Sequence, residues 1–289
     1  MDVLLLGPVQ LDGHGEAVGI VRRQERLLLA ALAVRAPHYV SLPRLVELIW
    51  AGHEPARPVA AVQSMVAHLR RLMRRAVPDR EVIASCGQGY AWRGHLDEID
   101  LHRALRSVDA AGAAGAGLER LRLLGEALSE WRGPAVIDVG DEMVRRRVLG
   151  AHAGLWLSTY EEWLAAHIDT GRHSEVIGPL SMLACQRPLS EAVQALLMAA
   201  LHRAGRRDEA LEVYLRTRRL LVAELGVEPG QGLREAHRLV LRGTPGPPWT
   251  TGPRVPGCGP RGWAGSLLPG TMVSSPGWGG SGAHHLVHS

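Results

Sequence analysis

The chain has 289 residues, 46% of them apolar, which is enough for about two ordinary domains. It has no apolar run near the roughly 18–20 residues of a membrane-spanning helix. All 33 basic side chains are arginine, and the absence of lysine excludes P-loop, Schiff-base and kinase-type lysine chemistry. The formal net charge is only +4, and Cys86, Cys185 and Cys258 are too scattered for a Cys-x-x-Cys zinc site or a disulfide framework.

Short apolar runs at residues 3–6 and 17–21, separated by Gly7-Pro8 and Asp12-Gly13, read as small strands joined by tight turns. Leu27, Leu28, Ala31, Leu32 and Val34 then recur at helical spacing over 24–35. A second helix starts at Ser41, a good N-cap, tolerates Pro43 in its first turn and ends at Gly52. The opening Met1-Asp2-Val3 is acidic and lacks a basic n-region, so no signal peptide is read and a cytoplasmic chain is expected.

The third helix, 59–75, is the most informative. Val62, Met65, Val66, Leu69, Leu72 and Met73 form one apolar stripe. Gln63, Ala67, His68, Arg70, Arg71 and Arg74 lie off it. From Arg57 to Arg75 there are five arginines and no Asp or Glu. A cationic stripe alone is more often a solvated face, but a one-sign run fits a polyanionic partner. Residues 82–84 and 90–92, around Gly87-Gln88-Gly89, read as a β-hairpin. Helix, helix, basic helix and hairpin is the order of a winged helix-turn-helix. Trp50, Tyr90 and Trp92 are expected in its core.

Beyond Asp97 the pattern is helical, with helices expected over 100–112, 116–131, 141–170, 173–186, 190–204, 207–225 and 230–242. Gly171-Arg172 recurs as Gly205-Arg206, a spacing of 205 − 171 = 34 residues, the period of tetratricopeptide helix pairs. Residues 244–289 are Gly-, Pro-, Ser- and Trp-rich without periodicity and are expected to be disordered.

Several stretches together resemble the antibiotic-regulatory (SARP-type) family of bacterial transcription activators. They are Leu6-Gly7-Pro8-Val9, Arg23 to Leu28, Leu45 to Trp50, His68 to Leu72, Gly89-Tyr90, Trp131 to Ala135, Gly171-Arg172-His173 and Leu220 to Pro229. The last is the most specific. The chain departs from the family in having Leu where the first strand often has Phe, and Cys86 and Gln88 in a wing that often carries Pro or a basic residue.

The resemblance implies a mainly α chain. A winged helix-turn-helix over 1–95 precedes an all-α tetratricopeptide-like activator domain over 96–243. It also implies a sequence-specific activator of a secondary-metabolite gene cluster, acting on double-stranded DNA at promoter direct repeats. RNA polymerase holoenzyme is the expected partner, with a second protomer on DNA as a further one. Gln63 and His68 are the expected base readers, with Ser64 and Ala67 on the same helix. Arg70, Arg71 and Arg74 are expected on phosphates, Arg23 and Arg44 on the DNA backbone, and Gln88 and Gly89 in the minor groove.

No nucleophile–base pair, metal motif or dinucleotide fingerprint appears, so no enzyme activity, metal or cofactor is expected. The competing reading is a helical interaction scaffold with a degenerate winged domain.

Overall fold

The computed structural model describes residues 1–13, 16–78 and 80–243; the tail expected to be disordered lies outside them. Three short strands open the chain: β1 (Asp2–Leu4), β2 (Gln10–Gly13) and β3 (Glu16–Val18). They form an antiparallel meander in which Val3 faces Leu11 and Leu11 faces Val18. Three strands thus replace the two expected. The second is only four residues long, too short to show alternation in the sequence.

Helix α1 (Arg23–Val34) is buried continuously from Leu27 to Val34. It runs through the middle of the first domain, so its amphipathic pattern is weak. After β4 (Val40–Ser41), α2 (Leu42–Trp50) begins under the Ser41 cap, whose Oγ accepts the Arg44 N–H at 3.4 Å. Helix α3 (Pro58–Ala76) places Pro58 in its first turn, where a missing N–H costs nothing.

The hairpin β5 (Ile83–Ser85) and β6 (Gly89–Trp92) follows, and β4 joins it in a sheet of order β4-β6-β5. Ser41 faces Gly89, and Ile83 faces Trp92. Tyr90 and Trp92 are buried as expected, whereas Trp50 is only partly so.

The helical part comprises α4 (Asp100–Ala113), α5 (Leu118–Ser129), α6 (Glu142–Leu149), α7 (Leu155–Asp169), α8 (His173–Gln186), α9 (Glu191–Arg203), α10 (Arg207–Leu225) and α11 (Gln231–Arg242). The single helix expected over 141–170 is divided by a 3-10 turn, Gly150–Gly154, bounded by two glycines. Its first half packs on α1 and α2, while its second half packs on α5, α8 and α9.

The 34-residue recurrence is structurally literal. Arg172 N–H donates to His167 O and Arg206 N–H to Leu201 O, both at 2.9 Å. Gly171 and Gly205 hold φ of +82° and +77°, which a side chain rarely tolerates. Arg172 forks onto Glu175, and Arg206 onto Glu209.

Two large cores result. The second, from Leu164 to Val240, belongs to the helix pairs. The first runs from Val3 to Ala104 and also takes in Val136, Val139, Val148, Leu149 and Leu155. Apolar packing is therefore continuous across position 96.

Candidate nucleic-acid interface

Helix α3 divides cleanly by burial. Val62, Met65, Val66, Leu69, Leu72 and Met73 face the core. Gln63, Ser64, Ala67, Arg71 and Arg74 are exposed. At about 100° per residue these five share an arc of about 100°. Arg57 and Arg75 are also exposed, and the helix contains no acidic residue. Among the described residues Arg57, Arg71, Arg74 and Arg75 have no carboxylate partner. Most other arginines are paired, as in the forks from Arg103 to Glu130 and from Arg218 to Glu228. Arginines held open on one helix face present donors to any polyanion that approaches.

His68 and Arg70 flank this arc, and both have partners within the fold. His68 Nδ1 lies 2.9 Å from Oε1 of Glu25, a fully buried residue of α1. Arg70 donates from Nε to Ile83 O at 2.8 Å and from Nη2 to Ser85 Oγ at 3.0 Å. Its Nη2 also lies 3.0 Å from Glu81, and its guanidinium sits 5.8 Å from the Tyr90 ring centroid. Arg70 therefore fastens α3 to the hairpin. Its partners lie up to 20 residues further along the chain, and nothing in its local sequence marks it out from Arg71.

The remaining expected residues are more scattered. Arg23 donates from Nε to Val139 O and so joins α1 to the segment before α6. Arg35, at the end of α1, donates to Val148 O at 3.2 Å. Burial, and after it the charge of Arg44, pulls the Arg35 guanidinium below its ordinary value. Arg44 is exposed in the first turn of α2 and pairs with Glu47 at 2.6 Å. Gln88 is exposed at the hairpin turn, but Gly89 is buried. A Cβ on Gly89 would stand 2.2 Å from Val40 O, so this glycine serves the close approach of β4 to β6.

The helical domain offers little for chemistry. Between α4 and α5 lies an open cleft of about 490 Å³, lined by Arg103, Arg106, Glu126 and Glu130. Arg103 is committed to Glu130, and Arg106 to Asp97. Among the described residues no group of three or more His, Cys, Asp or Glu could hold a metal ion, and no helix is long and apolar enough to cross a membrane.

Residues 97–241 match the bacterial transcriptional activator domain family. The chain is 36% identical over 247 residues to the regulatory protein AfsR of Streptomyces coelicolor, covering 83% of this chain and 24% of that protein. It is 36% identical over 255 residues to the transcriptional regulator RedD of the same organism, covering 85% and 71%. With the regulatory protein DnrI of Streptomyces peucetius it shares 30% over 268 residues, covering 89% and 97%. The chain thus spans about a quarter of AfsR and nearly all of DnrI. A solved structure of Mycobacterium tuberculosis EmbR in complex with a low-affinity phosphopeptide superposes with a TM-score of 0.79 at 31% identity, covering 84% of this chain and 65% of that one.

Proposed function

The chain belongs to the antibiotic-regulatory (SARP-type) family of bacterial transcription regulators, and from that premise we propose that it is a sequence-specific activator of a secondary-metabolite gene cluster. It binds double-stranded DNA at promoter direct repeats through residues 1–95. The helical domain, 96–243, docks RNA polymerase holoenzyme and a second protomer on the DNA. The protein works in the cytoplasm, at the nucleoid, and is not an enzyme.

The observation that carries this reading is the exposed arc of α3. A helix enters the major groove with its outward face, and that face here combines small and amide side chains with unpaired arginines. Gln63, Ser64 and Ala67 are the residues that read base edges. Gln can bond adenine bidentately, and Ala67 is small enough to meet a thymine methyl. Arg71 and Arg74 hold phosphates, which position the protein without reading sequence. Gln88 follows the minor groove from the wing tip. Arg44 adds a backbone contact when it exchanges Glu47 for phosphate. Arg70, Arg23 and Gly89 serve the interface indirectly, by fixing the hairpin and α1.

Fluorescence anisotropy of the full chain tests the proposal. Duplexes tiling the DNA around its own gene are titrated with excess random competitor over a salt series. Tight binding to one tile that survives competitor is the expected result. Salt-sensitive binding to every tile alike would remove the specificity, and no binding at low salt would overturn the DNA-binding reading.

A further inference from the structure

Glu25 is the one acidic residue of α1, and its side chain is fully buried. It sits two positions before the apolar run Leu27–Leu29, where another leucine would extend the core. Removing a carboxyl group from water is costly unless a partner compensates. Among the described residues Oε1 has one close partner, His68 Nδ1 at 2.9 Å, while Oε2 has none. Arg22, its guanidinium largely in solvent, stands 3.8 Å from Oε1. The strongest contact of this buried group is therefore with the helix that faces DNA.

His68 is suited to transmit that contact outward. Its side chain is 39% exposed. It lies about 40° beyond Ser64 around the helix, at the rim of the exposed arc. A residue at the rim of a helix seated in a groove is placed to reach the sugar–phosphate wall. When a carboxylate accepts the Nδ1–H of a histidine the ring direction is fixed, and the doubly protonated ring keeps a second donor, Nε2–H, to offer an anion. The nearby charges favour an anion there. Arg71 and Arg75 follow on the same helix, and Arg22, just before α1, stands 3.8 Å from the Glu25 carboxylate.

We infer that Glu25 is a positioning residue for DNA binding: by accepting the Nδ1–H it holds the His68 ring so that the ring, protonated on both nitrogens, donates its Nε2–H to a backbone phosphate at the groove wall. The inference rests on the DNA-binding reading above and deepens it. It also moves His68 from base reading, the role its sequence suggested, to backbone positioning.

Two substitutions separate the ring nitrogens. In His68→Asn the amide nitrogen stands near Nδ1, which keeps the tie to Glu25 and removes Nε2. In His68→Gln the amide reaches the Nε2 position and releases Glu25. The full chain and its variants are titrated on the duplex the wild type binds, over a salt series, with thermal unfolding in parallel. His68→Asn is expected to unfold at the wild-type temperature and to bind about tenfold more weakly, as the loss of one charge-assisted hydrogen bond implies. Its salt slope falls by up to about 0.9, one phosphate contact. His68→Gln retains more affinity than His68→Asn. Glu25→Gln weakens binding and lowers the slope in the same direction. Combined with His68→Asn it adds nothing further, the sign of two residues acting through one contact.

Wild-type affinity and slope in His68→Asn would overturn the inference while leaving the DNA-binding reading intact. So would weaker binding at an unchanged slope. Should His68→Asn fail to fold, an unchanged slope in Glu25→Gln overturns it equally. A wild type that binds no duplex removes the reading on which it rests.

Discussion

The Asp100 carboxylate accepts the backbone N–H of Leu5 at 2.8 Å, across 95 positions of sequence. The same carboxylate takes Leu6 N–H at 2.8 Å and Leu101 N–H at 2.7 Å, and Arg132 stands 3.8 Å away. Val3 forms a parallel bridge with Ile99 beside it. One fully buried side chain thus takes a first-turn N–H of α4 and the N–H groups that follow β1 at the same time.

Burial pushes the Asp100 carboxyl above its usual value, against the pull of the Leu6, Leu5 and Leu101 N–H groups and Arg132. A carboxyl whose value is raised by folding contributes stability at acid pH that is lost as pH rises through its folded value. Asp100→Asn keeps one acceptor and sets an NH2 against donors, so it is expected to cost about 1–3 kcal/mol. Its deficit should be largest at the acid end and shrink upward from about pH 4. Urea unfolding of both proteins from pH 3.5 to 7 measures this. A deficit that grows with pH would show that the hydrogen bonds outweigh burial.

Gly89→Ala should be among the most damaging single-methyl changes in the winged domain. The added Cβ would stand 2.2 Å from Val40 O and 2.7 Å from the Tyr39 ring, so backbone must move. Overpacking of this kind costs about 1–3 kcal/mol, at the upper end where the obstacle is backbone. Gly87→Ala, in the same turn but in open space at φ +52°, is the control, with about 1 kcal/mol of backbone strain. Equal melting temperatures for the two variants would refute the close-approach account.

Periodicity carried much of this architecture. The buried stripe of α3 and the 34-residue repeat can both be read from residue types, because each depends on neighbours within one or two turns. Features set by distant partners are not legible in that way. Strand β4 is two residues long and exists because β6 pairs with it. His68 and Arg71 both lie off the apolar stripe in the sequence, yet Glu25, 43 positions before His68, links that ring into the fold while Arg71 stays open. Arg23 reads as a DNA contact, and nothing near it in sequence shows that Val139, 116 positions on, accepts its Nε–H. The core that crosses position 96 is hidden for the same reason, since Val136 and Val148 look like ordinary residues of a helical domain.

That shared core predicts coupling between the domains. Arg26 Nε lies 2.9 Å from Asp138 Oδ2, with each side chain about three-quarters shielded, and Asp138 Oδ1 accepts Val9 N–H at 2.9 Å. A double-mutant cycle of Arg26→Ala and Asp138→Ala should give about 1 kcal/mol of coupling, near the top of the range for pairs that retain some solvent. Each single change should cost more than the pair term, because Asp138→Ala also leaves the Val9 N–H without its acceptor and Arg26→Ala removes the donor to Ile20 O at 2.8 Å and Val21 O at 3.0 Å. A coupling indistinguishable from zero by urea unfolding would mean that the apolar contacts alone hold the junction.

Arg70 and Arg71 are adjacent, yet the structure separates their expected effects. Arg71 and Arg74 are exposed and unpaired, so Arg71→Ala and Arg74→Ala should leave the melting temperature near that of the wild type. Each should lower the slope of log affinity against log salt by up to about 0.9. Arg70→Ala removes the bonds to Ile83 O and Ser85 Oγ and the packing on Tyr90. It should cost about 1–3 kcal/mol of stability, because the Ile83 carbonyl loses a charged donor. Its effect on DNA should be a loss of affinity that comes with a displaced hairpin, at a nearly unchanged salt slope. Salt-series anisotropy and thermal unfolding on the three variants decide the matter. If Arg70→Ala lowered the slope as much as Arg71→Ala while keeping full stability, Arg70 would leave the hairpin for phosphate on binding, and its anchoring role would be confined to the free protein.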